Sequence, residues 1–64
     1  MTDREYIDIL QSSINFYKKS LDDYQRALDC LKPSNPYYEM IIDRMLYESD
    51  LIDSYNRILN NKKQ

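Results

Sequence analysis

Glycine, histidine and tryptophan are absent from this 64-residue chain, which has one cysteine and two prolines. Each shortage excludes something. Without glycine there is no phosphate-cradling loop and no dinucleotide fingerprint, since both need backbone that only glycine allows. Without histidine the usual general base and the commonest zinc ligand are missing. A single cysteine cannot form an intrachain disulfide, and a lone thiol fits a reducing compartment, so a cytoplasmic location is expected. No apolar run approaches the roughly 18 residues of a membrane span. The opening Thr2-Asp3-Arg4-Glu5 is polar and acidic, unlike the basic and apolar regions of a secretory signal. Nine basic residues against eleven acidic leave a net charge of −2, which draws the chain neither to nucleic acid nor to anionic membrane. No nucleophile has a base beside it. Catalysis, metal and cofactors are therefore not expected.

What is present is helix. The one break is Lys32-Pro33-Ser34-Asn35-Pro36. Proline disfavours helix in the residue before it, so Lys32 closes the first element. Asn35 then reads as an N-cap, with Pro36 at the first helical position. Thr2 and Glu5 match a capping box, Asp3 and Glu5 suit the positive end of a helix dipole, and Lys62 and Lys63 suit a negative end. The expected fold is all-α, a single antiparallel helical hairpin over 1–64 with helices at about 3–32 and 36–61.

Ile7, Leu10, Ile14, Tyr17, Leu21, Tyr24, Leu28 and Leu31 alternate spacings of three and four. That is a heptad seam with Ile7 at a and Leu10 at d. Tyr38, Ile41, Met45, Glu48, Ile52, Tyr55 and Leu59 repeat it, with one charged exception. Antiparallel pairing stacks Leu10 with Leu59, Ile14 with Tyr55, Tyr17 with Ile52, and Leu21 with Glu48. Glu48 reads as a solvated side chain snorkelling from the seam edge; the rival reading is a polar specifier of register, paired with Arg44 near Tyr17 or Tyr24.

The apolar surface is wider than one seam needs. Tyr6, Ile9, Phe16, Ala27 and Cys30 on the first helix fall at c and g positions, as do Tyr37, Met40, Tyr47, Leu51 and Ile58 on the second. Each helix thus carries an apolar arc of about 160°, against roughly 100° for an ordinary surface helix. A domain of about 60 residues buries only about 60% of its unfolded surface and is marginal alone. A second copy, making a homodimeric four-helix bundle, is the simplest cover. Tyr6, Ile9, Phe16, Ala27, Cys30, Leu51 and Ile58 would form that dimer band.

The stretch from Tyr37 to Tyr47 is apolar nearly all round, because Ile42 and Leu46 fall outside both the seam and the band. Methionine and tyrosine suit adaptable binding surfaces. Tyr37, Met40, Ile42, Leu46 and Tyr47 are the expected contacts with a second protein. The carboxylate pairs Asp22–Asp23 and Glu39–Asp43 read as solvated faces. Arg4, Lys18, Lys19, Arg26 and Lys32 form a basic arc, but Asp8, Asp22 and Asp29 interrupt it, and pairs such as Asp22 with Arg26 explain it as ion-paired surface.

In length and layout the plan resembles small plasmid-encoded RNA-modulator proteins that dimerise as helical hairpins. The resemblance transfers no residue role. The expected function is a non-enzymatic, protein-binding regulator, an inhibitor or adaptor of the kind that phages and other mobile elements encode. The alternatives are an assembly subunit making only self-contacts and an RNA-binding hairpin dimer.

Overall fold

The structure, a computed structural model, describes residues 2–63. Helix α1 spans Asp3–Cys30 and α2 spans Pro36–Lys63. The Thr2 hydroxyl accepts the Glu5 amide at 3.1 Å, and the Thr2 carbonyl accepts the Tyr6 amide at 3.1 Å. The first bond satisfies one of the donors that a helix start leaves unpaired, and the second is the first regular turn of the helix. At the second start the Asn35 side-chain oxygen accepts the Tyr37 amide at 2.9 Å, with Pro36 at the first helical position as the sequence predicts.

Both helix ends differ from expectation by two residues. α1 stops at Cys30 because Leu31 is already extended, at φ −105° and ψ 147°. Pro33 forces Lys32 out of the helical region, and the straightening begins one residue earlier. The Leu31 amide then reaches only back to the Leu28 carbonyl, at 3.1 Å. Lys32 through Asn35 close a turn by the Asn35 amide bonding the Lys32 carbonyl at 2.9 Å, with Pro33 in the position turns favour for it. α2 runs on to Lys63 because nothing after Leu59 stops a helix; its end holds no glycine or proline. The Lys63 side chain lies outside the described ones.

The two 28-residue helices pair side by side in a rod 47 × 16 × 14 Å. Leu10, Ile14, Ile52 and Leu59 form the buried core, all from the predicted seam. Tyr6, Ile7, Tyr17, Leu21, Tyr55 and Ile58 pack against it, with the Tyr17 and Tyr55 rings 6.2 Å apart. The core lies in the half of the hairpin away from the turn. Near the turn, Leu28, Leu31, Tyr38, Ile41 and Met45 are only half-buried.

Truncation should report this asymmetry. Leu10→Ala and Leu59→Ala each remove a side chain at most 5% exposed and should cost about 2–5 kcal/mol. A chain of this length holds only about 3–10 kcal/mol in total. Leu46→Ala, at a site 62% exposed, should cost under about 0.5 kcal/mol. Urea denaturation at fixed protein concentration, followed by circular dichroism, separates the two classes.

Candidate protein-interaction surfaces

In an antiparallel pair the g positions of both helices flank one side of the seam and the e positions flank the other. The hairpin obeys this. Tyr6 and Ile58, both g, border one depression beside Lys62. Leu21, Leu28, Ile42, Met45, Leu46 and Ser49 line a groove of about 330 Å³ on the opposite side.

This geometry divides the expected partner contacts. Six large hydrophobic side chains stand exposed: Ile9, Phe16, Tyr37, Met40, Leu46 and Tyr47, at 50–68%. Five of them occupy c or g positions and so share one face. Tyr37, Met40 and Tyr47 therefore lie with Ile9 and Phe16 of the dimer band. Ile42 and Leu46 belong to the groove on the reverse side. Of the remaining band residues, Tyr6, Ala27, Leu51 and Ile58 are half-buried within the hairpin, and Cys30 is exposed at the end of α1.

The sequence reading grouped Tyr37 to Tyr47 as one surface because they are contiguous. The heptad angles held the correction. Ile42 sits at e and Leu46 at b, on the a side of the seam, beside Leu21 and Leu28. The groove itself was missed for the same reason.

Glu48 departs from expectation more sharply. Instead of snorkelling it is the most buried of the described residues, at 1% exposure. Arg44, one turn earlier, takes the charge in with it: its Nε donates to Glu48 Oε2 at 3.1 Å. The Arg44 guanidinium also lies 5.0 Å over the Tyr47 ring. It is held above the ordinary guanidinium value, chiefly by the neighbouring Tyr24 hydroxyl and then by the Glu48 charge, against partial desolvation. Among the described residues no buried side-chain oxygen or nitrogen lacks a hydrogen-bond partner. A seam carboxylate is tolerated when its charge is paired and bonded.

Elsewhere the charges form surface pairs. Arg26 engages Asp23, not Asp22 as the sequence suggested; both carboxylates adjoin it one turn back, and the guanidinium takes the one three residues away. Gln25 donates to Asp29 at 3.1 Å. At the open end Lys62 Nζ lies 3.3 Å from Asp3 Oδ1 and 5.3 Å from the Tyr6 ring centre, joining the last turn of α2 to the first of α1. Among the described residues no helix is long and apolar enough to cross a membrane.

No family of known proteins, no curated protein and no solved structure matches the chain.

Proposed function

We propose that the chain is a small non-enzymatic, protein-binding regulator, built as a two-fold pair of cytoplasmic hairpins that acts through helix faces. The observation that carries this reading is the gathering of five of the six large exposed apolar side chains on one face. Such a face needs covering: the largest apolar patch on a typical monomer is about 300–600 Å² and is often functional.

A second copy fits it in angle, length and area. At about 100° per residue the c/g stripe is centred roughly 110° from the a/d stripe. In a square four-helix arrangement each helix meets two neighbours about 90° apart. The face runs the full hairpin, and a partner of equal length is another hairpin. Its footprint of 47 by 16 Å gives about 1,500 Å² over both copies, within the standard interface size of about 1,600 ± 400 Å². Two hairpins joined there leave the groove of Ile42 and Leu46 outward, free for another protein.

Light scattering on the purified chain at micromolar concentration should give twice the 7.8 kDa chain mass. Phe16→Asp with Met40→Asp places two charges on the face and should halve that mass. A wild-type monomer overturns the paired reading. Leu46→Asp lies off the face and should keep the dimer while abolishing the cellular role. An assembly subunit with only self-contacts would be indifferent to it.

A further inference from the structure

We infer that the groove beside the turn docks an amphipathic helix from a partner protein, with aliphatic side chains toward the groove and basic side chains along one flank. This deepens the proposed function by naming the chemistry of the partner, and it rests on that reading.

The groove has the dimensions of a helix site. Its walls run from Leu21 to Leu28 on α1 and from Ile42 to Ser49 on α2, seven residue steps each. At 1.5 Å per residue that is about 10 Å, two helical turns. A docked helix presents its i, i+3 or i+4, and i+7 side chains over such a length. Ser49 is the one polar residue in the lining, and Met45 gives the floor a flexible side chain that moulds to its occupant. The groove faces away from the c/g surface, so it stays open when two hairpins meet.

The rim chooses the partner's charge. Glu39, Asp43, Asp50 and Asp53 are all exposed along the outer flank of α2. Among the described residues none of the four is in an ion pair; the carboxylates that are paired are Asp3, Asp23 and Glu48. The one cation on this stretch of α2, Arg44, is bound to Glu48 and Tyr47 toward the other face. On the α1 side Lys18 and Gln25 stand at e, Asp22 and Asp29 at b and Lys19 and Arg26 at f, with Lys32 just beyond the helix end, all of them exposed. A helix in the groove thus meets a wholly negative wall on the α2 side and a mixed wall, four cations against two carboxylates, on the α1 side. Lysine or arginine over α2 is attracted, and glutamate there is repelled. The same asymmetry fixes how the helix lies.

The test uses two synthetic helical peptides of about 18 residues, five turns. They share one leucine stripe and differ only in carrying lysine or glutamate on one flank. Binding to the full-length chain is read by fluorescence anisotropy. The lysine peptide should bind about tenfold or more tightly than the glutamate peptide at low salt, and the gap should close as ionic strength rises. Leu46→Ser should weaken the lysine peptide about tenfold or more with helicity and mass unchanged. Equal binding of both peptides overturns the charge assignment. No binding, binding indifferent to Leu46→Ser, or binding lost instead with Met40→Ser overturns the groove. Self-association beyond the dimer that Leu46→Ser abolishes makes a second copy the occupant, and also overturns it. The mass measurement stands apart: a monomer that binds one lysine peptide through Leu46 refutes the paired hairpin and keeps the groove.

Discussion

Replacing Glu48 by leucine should stabilise the hairpin, while replacing Arg44 by methionine should destabilise it. The two residues are partners, yet their burial is unequal. The Glu48 side chain is 2% exposed and that of Arg44 is 55% exposed. Burying a carboxylate costs several kcal/mol of hydration, which one good ion pair returns only in part. Glu48→Leu removes that cost, leaves the guanidinium free to hydrate, and fills a seam position with the residue the heptad wants. The gain should be about 1–4 kcal/mol, a rise in the thermal midpoint of about 5–20 °C for a domain this small. Arg44→Met does the reverse. It strands the carboxylate inside, so the midpoint should fall by about 10 °C or more. Calorimetry on both variants at matched concentration decides the matter. If Glu48→Leu loses stability, the pair contributes net stability and the desolvation argument is wrong. A polar seam residue also narrows the choice of register and association state, so Glu48→Leu should broaden the distribution of masses as it raises the midpoint.

That pair marks where sequence reasoning stopped. The seam was legible because burial along a helix follows its period: every residue from Ile7 to Leu31 and Tyr38 to Leu59 assigned to it is buried or half-buried. Thr2 and Asn35 were legible because caps need a short side-chain oxygen just before the first turn. The helix limits were less so, because the constraint of Pro33 passes through Lys32 to Leu31. Glu48 was legible only as an open alternative: its pairing with Arg44 near Tyr24 could be read from spacing, but not whether the carboxylate stays in the seam or turns out to solvent. Period fixes where its Cα lies, but whether the carboxylate stays in the seam depends on the path of the Arg44 side chain over it. The two faces were recoverable in principle. The angles of Ile42 and Leu46 separate them from Met40 and Tyr47 once the hairpin is known to be antiparallel.

Spin labels at the turn should lie within about 20 Å of each other in the proposed dimer, two helix spacings of 8–10 Å across the bundle. Two arrangements bring the c/g faces together. With the dyad along the rod, both turns sit at one end and α2 of each copy lies over α1 of the other at equal height. With the dyad across the rod, the turns sit at opposite ends and like helices stack. Charge separates them. On the seam register Arg44 is level with α1 residues near Asp23, and Asp23 is at c, on the edge of the same face. In the same-end arrangement Arg44 faces the partner's Asp23, Phe16 meets the partner's Leu51, and Ile9 meets the partner's Ile58. In the opposite-end arrangement Asp23 falls between the partner's Ile9 and Phe16, where it gains no cation beyond Arg26 of its own helix. The same-end pair is therefore favoured. Ser34 is exposed in the turn and takes the label as Ser34→Cys on a Cys30→Ser background, which keeps a side chain of similar size at the turn end of the c/g band. Pulsed electron paramagnetic resonance distances near the 47 Å length of the rod would refute the same-end arrangement, and with it the pairing of Arg44 and Asp23 across the interface.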